Sequence, residues 1–181
     1  VGGGRISHVI IRPLDVRNTL KTFLLYSLIS NVYQNLSIFF YFRLINSQRL
    51  GLIEKSELSF AVAREFADVG RFDLSAHHSY YAVFQYFSAV AFGYFGLDSD
   101  SIRIEANANR HGTHVEIFNL IFQSIPENNQ RDLNNCFQRL KRRRTKADYS
   151  DDHVSDAECM NSIELSEWTL NLLKNRYGEY L

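Results

Sequence analysis

The chain has 181 residues and balances 20 Lys and Arg against 20 Asp and Glu. No global field therefore draws it to nucleic acid or to an anionic membrane, and either partner would need a local patch. The length suits one domain with a real core and excludes two full ones, and two well-separated cysteines, Cys136 and Cys159, exclude a disulfide framework and read as reduced core thiols.

Residues 1–53 read as an N-terminal extension to a bundle spanning 54–181. Val1 to Arg5 is Gly-rich and expected to fray. Val16 to Leu44 mixes β-branched and aromatic residues with helix formers, so periodicity leaves it between helix and poorly ordered chain. The apolar run from Phe23 to Ile45 raises the question of a membrane span. Asn31, Gln34, Asn35 and Ser37 near its middle argue against one, because polar groups are costly in hydrocarbon. Without a charged start, compact apolar run and small-residue cleavage site, the expected address is cytoplasmic, away from any membrane.

From Glu54 onward the pattern is helical. Leu58, Val62, Phe66 and Val69 recur at helical spacing, and Gly70 is a stop signal. Asp73 is the expected N-cap of a long helix through Ala76, Tyr80, Phe84, Phe87, Ala91 and Tyr94 to Gly96, apolar on most sides and hence central. A polar loop is expected over Leu97 to Gly112. Thr113 then caps a shorter helix with Val115, Phe118 and Ile121 on one stripe. After the turn at Pro126, Leu133, Cys136, Phe137 and Leu140 form one buried face of a helix that runs into a basic cluster. Ser155 and Glu158 have the spacing of a capping box that opens a last helix through Met160, Ile163, Trp168 and Leu172 to Tyr177. The fold class is all-α, an up-and-down bundle of four to five helices.

The cluster from Arg131 to Lys146 carries a net charge of about +6 and is followed at once by Asp148, Asp151, Asp152 and Asp156. One reading has Arg142, Arg143, Arg144 and Lys146 gathering the phosphates of RNA or a nucleotide, for which the guanidinium fork is suited. The other has cations at a helix C-terminus pairing with the aspartates that follow, which leaves only a solvated corner.

Three strings carry a resemblance. Arg144-Thr145-Lys146-Ala147-Asp148-Tyr149 resembles the R-x-x-A-D-Y signature of small bacterial and archaeal HEPN proteins. Ser79-Tyr80-Tyr81-Ala82-Val83-Phe84 is similar to the Tyr-Tyr-Ala-x-Phe core of that family's long helix, and Thr113-His114 to its Thr-His step. Together they cover about Glu54 to Tyr177. The resemblance implies a helical bundle that homodimerises along a helical face and places its arginine motif at the dimer cleft. It also implies a metal-independent ribonuclease, with no metal and no cofactor, acting as the toxin of a toxin–antitoxin or defence module beside a small nucleotidyltransferase antitoxin. Such chemistry needs a proton-transfer group near neutral pKa and a fixed cation for the phosphorane.

The sequence departs from that pattern at the motif itself. Tyr149 stands where active members carry histidine, and a tyrosine with an ordinary pKa near 10 is a poor base at neutral pH. The catalytic set implied is thus Arg144 and Tyr149, with His153 or His114 for proton transfer and with Asp148, Tyr80 and Tyr81 shaping the site. Asp148 and Tyr149 also have a structural reading, in which Asp148 bonds backbone N–H groups beyond a helix end or pairs with Arg144, and Tyr149 buries its ring between the last two helices. His111 and His114 read mainly as surface capping residues at their helix start. The string from Arg71 to His77 matches the family's Arg-to-His spacing but lies in another helix and reads as chance. His78 stands where relatives have arginine. Phosphate loops, H-E-x-x-H, paired carboxylates and nucleophile elbows are absent as strings. The alternative function is a non-catalytic adaptor that offers helical faces to a nucleotidyltransferase.

Overall fold

A computed structural model describes residues 49–181; the ambiguous segment from Val16 to Leu44 and the whole apolar run from Phe23 to Ile45 considered as a span lie outside the described residues. Helix α1 covers 49–68 of these, so the start expected at Glu54 falls inside it. There follow α2 (Phe72–Gly93), α3 (Ser99–Ala108), α4 (Thr113–Ser124), α5 (Glu127–Tyr149) and α6 (Asp156–Tyr177), closed by a 3-10 turn at Gly178–Tyr180. No described helix is long and apolar enough to cross a membrane.

Helix α2 is central, as its nearly all-round apolar surface requires, and packs against α4, α5 and α6. Its core partners include Leu133, Phe137 and Leu140 of α5, Phe118 and Ile121 of α4, and Leu170, Leu173 and Tyr177 of α6. The α5 face expected from spacing is the one buried, Leu133, Cys136, Phe137 and Leu140 together.

Two expected apolar faces are displaced. Leu58 on α1 and Val69 just past its end are exposed, and the α1 residues turned inward are Ser56, Ala63 and the half-buried Phe60 and Ala67. On α6, Met160 and Trp168 face outward, while Cys159, Ser162, Ser166 and Thr169 are buried beside the aliphatic positions. The common cause is a seam of small side chains that lets backbones approach. Ser56 Oγ donates to Ala82 O at 2.7 Å and Ser75 Oγ to Ala63 O at 2.7 Å, joining α1 to α2. Ser166 Oγ lies 2.9 Å from Ser79 O, joining α6 to α2. A buried serine satisfied by a carbonyl packs like an alanine and adds a directional tie.

Local signals differ in how they are used. Gly70 takes φ 72° and ends α1, the left-handed stop that its position implies. Asp73 does not cap α2; Arg71 is the N-cap, and Asp73 instead accepts from Val154 N at 2.7 Å and contacts His153 at 2.8 Å. Gly112, not Thr113, is the N-cap of α4. The polar loop over Leu97 to Gly112 contains a helix, α3, capped by Asp98 on Ser101 N at 2.7 Å and anchored by only two buried residues, Ile102 and Ala106. Both cysteines are buried and free.

The capping box of α6 forms as its spacing implies, Ser155 and Glu158 each bonding the other's backbone N–H. Those bonds, with the Lys146 ammonium 2.9 Å away, hold the Glu158 carboxyl down at about 2. A depressed carboxyl contributes stability that is complete above its unfolded pKa and drains as the pH falls towards the folded one. Glu158→Gln is therefore expected to cost about 1 kcal/mol at neutral pH, a cap-sized loss because the side chain is 36 % exposed and screened. In urea unfolding the gap between parent and variant should narrow between about pH 5 and pH 3. A gap that stays constant would show the loss to be steric.

Candidate functional site

Consecutive residues of a helix point about 100° apart, so the basic run on α5 cannot gather on one face. Arg144 turns towards α2, whereas Arg143 and Lys146 turn towards α6. The four cations read as one phosphate cluster are thus divided between two surfaces.

On the α2 side two ladders meet. Arg144 and Asp148 are one turn apart on α5, and His77 and Tyr81 are one turn apart on α2. His77 Nδ1 lies 2.8 Å from Asp148 Oδ1, and Arg144 Nε lies 2.7 Å from Asp148 Oδ2. The Arg144 contact is coulombic, because its Nε–H is buried and not aimed at the carboxylate. Arg144 Nη2 donates to the Tyr81 hydroxyl at 3.0 Å and to the Tyr149 hydroxyl at 3.3 Å, and the guanidinium sits 5.0 Å from the Tyr149 ring centroid. Partial burial pulls the Arg144 pKa down, but Tyr81 and Asp148 outweigh it and raise the value. This cation is permanently charged and held from three sides.

A second pair adjoins the first. The Tyr80 hydroxyl and His114 Nδ1 are 2.8 Å apart, and the His114 ring stacks on Phe84 at 3.7 Å. Burial, then the nearby charges of Arg144 and Lys141, lower the His114 pKa, so its imidazole is neutral at neutral pH. His114 is a half-buried partner of Tyr80, not a surface cap. His111 contacts Glu116 at 3.2 Å at the start of α4.

The remaining expected residues fall as follows. Tyr149 is 73 % exposed and rests on Arg144, so the expectation that its ring is buried between the last helices is corrected. Asp148 lies in the last turn of α5, inside the helix, and pairs with Arg144 there. His153 makes its contact with Asp73, one turn before His77 on α2, and its side chain is 88 % exposed. Among the described residues Asp151, Asp152 and Asp156 form no ion pair with the basic run. Sequence reasoning met His77 only as the end of the Arg71-to-His77 string and read it as chance. A better signal was its one-turn spacing from Tyr81, which puts both on one face of α2.

On the α6 side, Arg139, Arg142, Arg143, Lys146 and Glu158 line a cavity of about 240 Å³. Arg139 Nη2 and Arg143 Nη2 both donate to Asn161 Oδ1, at 2.5 and 2.9 Å, and Arg143 Nη1 reaches Ser162 Oγ at 3.2 Å. Among the described residues no group of three or more His, Cys, Asp or Glu side chains is placed to hold a metal ion.

The family model described as HEPN domain matches residues 50–176, which contain both surfaces of α5. No curated protein matches the chain.

Proposed function

Because this chain belongs to the HEPN domain family, we propose that it handles RNA at the α2/α5 corner, with Arg144 holding a phosphate and His77 moving the proton. The contact that carries this reading is His77 Nδ1 to Asp148 Oδ1 at 2.8 Å. With Nδ1–H donated to the carboxylate, Nε2 keeps its lone pair and is free to accept a proton at the corner. Arg144 supplies the fixed cation. The Tyr81 and Tyr149 hydroxyl oxygens accept from it, which leaves their own O–H groups to donate to phosphoryl oxygens.

The reaction such a centre supports is transesterification within the RNA strand. Nε2 of His77 takes the 2′-hydroxyl proton, the 2′ oxygen bonds to the adjacent phosphorus, and the bond to the 5′ oxygen breaks. That oxygen takes a proton from water, giving a cyclic phosphate and a 5′-hydroxyl end. Arg144 offsets the charge of the phosphorane. Incubating the full chain with RNA in EDTA tests this, the expected result being cleavage that Arg144→Ala abolishes. No cleavage by the parent above that variant overturns the catalytic form, and equal RNA retention by both overturns binding at the corner.

A second reading rests on α1. Leu58 and Val69 are exposed, with Val62 and Phe66 half-buried beside them, an apolar stripe at helical spacing. It favours a protein partner, either a second copy of the chain or a small nucleotidyltransferase in a toxin–antitoxin module. Light scattering and copurification that find only a monomer would remove it.

A further inference from the structure

We propose that the groove between α5 and α6 binds a phosphorylated nucleoside, its phosphates on Arg139, Arg142, Arg143 and Lys146 and its base against Trp168. The site uses none of the residues of the Arg144 corner and does not depend on cleavage there.

Charge is the first argument. Four cations line the 240 Å³ cavity and one carboxylate, Glu158, faces them. Glu158 is already committed, accepting from Ser155 N at 2.9 Å, from Ser155 Oγ at 3.1 Å and from Lys146 Nζ at 2.9 Å. Arg139 and Arg143 have no carboxylate partner among the described contacts and converge on a neutral amide oxygen of Asn161, whose own Nδ2 is tied to Glu164 at 3.2 Å. Two guanidiniums are thus held side by side against their mutual repulsion. Burial and the neighbouring Arg139 pull the Arg143 pKa below its ordinary range, the mark of cations short of an anion. A compact, multiply charged anion relieves that deficit, and the guanidinium fork matches phosphate oxygens.

Continuity is the second. A cavity of about 410 Å³ shares Arg139 with the basic groove and continues along α5 and α6 past Asn161 and Leu165 to Trp168. The Trp168 indole is 37 % exposed at this wall, and Asn135, Asp132 and Glu164 offer amide and carboxylate edges beside it. An aromatic face with polar groups at its rim suits a nucleobase and ribose, and each cavity adjoins the other through Arg139. A phosphate chain alone would leave the indole wall unused; an apolar ligand would leave the cations unmatched.

The test uses a property of the chain itself. Trp168 is the one tryptophan, so emission excited beyond nucleotide absorption reports on this groove. Titrating ADP into the full chain is expected to give saturable quenching that inorganic pyrophosphate reverses. Arg142 is exposed, so Arg142→Glu should keep the helical circular dichroism while raising the midpoint about tenfold or more. Arg144→Ala should leave the midpoint unchanged. RNA oligomers with 5′-diphosphate and 5′-hydroxyl ends separate the two sources of this chemistry: quenching by ADP assigns a free nucleotide, and quenching by the 5′-diphosphate oligomer alone assigns an RNA end. No saturable change at millimolar ADP or oligomer overturns the proposal, as does a midpoint that Arg142→Glu leaves alone or that Arg144→Ala shifts. If RNA cleavage sensitive to Arg144→Ala persists while these titrations fail, this site falls and the Arg144 reading stands.

Discussion

His77→Ala is expected to slow metal-independent RNA cleavage by about 10²- to 10⁴-fold, the usual worth of a positioned general base. The structural ground is the tie of His77 to Asp148, which also pairs with Arg144 and so sets the base and the cation in register. Asp148→Asn should act through the same imidazole: the isosteric amide keeps the shape but loses the charge that orients Nδ1–H. A purely structural role for His77 would alter stability and leave the pH dependence alone. Removing an imidazole that takes the 2′-hydroxyl proton should instead change how the cleavage rate depends on pH. His114→Ala is a useful contrast, since its ring is stacked on Phe84 and bonded to Tyr80, and its loss falls first on packing. Cleavage by His77→Ala at the parent's rate with the parent's pH profile would remove His77 from the chemistry.

Phe137→Ala should lower the unfolding free energy by about 3–5 kcal/mol, the largest loss expected of any single truncation in the bundle. The ring is 1 % exposed, stacked on Phe118 with centroids 4.1 Å apart and planes at 4°, and flanked by Tyr80 at 6.0 Å and Phe87 at 5.9 Å. It joins α5 to both α2 and α4, so the void left by alanine borders three helices that cannot all move inward. Phe137→Leu, which fills much of the volume, is expected to cost less than about 2 kcal/mol. The urea midpoint measures both, and equal losses for the two variants would show that the void collapses. Tyr80 shares this environment, and its burial raises the hydroxyl pKa. The core thereby reaches the wall of the α2/α5 corner, so truncation at Phe137 should also weaken whatever the Tyr80–His114 pair supports.

What the chain declares by itself is local. The stop at Gly70, the Ser155–Glu158 box and the buried face of α5 each depend on residues within a turn or two of one another, and they stand as their spacing implies. Helix α3 was hidden because two anchors, Ile102 and Ala106, give too short a period to stand out from a polar stretch. The inward faces of α1 and α6 were misread because serine counts as polar in any pattern. Only tertiary neighbours show that Ser56, Ser75 and Ser166 spend their hydroxyls on carbonyls and pack as small residues.

The sites divide in the same way. Sequence marked Arg144, Asp148 and Tyr81 by their strings, and it grouped Arg142, Arg143 and Lys146 with Arg144 by adjacency. Helical rotation separates those neighbours onto two surfaces, and folding brings His77 to Asp148 across a sequence separation of 71. Periodicity is a property of one helix, so a sequence can state which face a residue occupies; which other helix meets that face is settled by packing, because contacts between helices depend on side-chain volumes summed over the whole core.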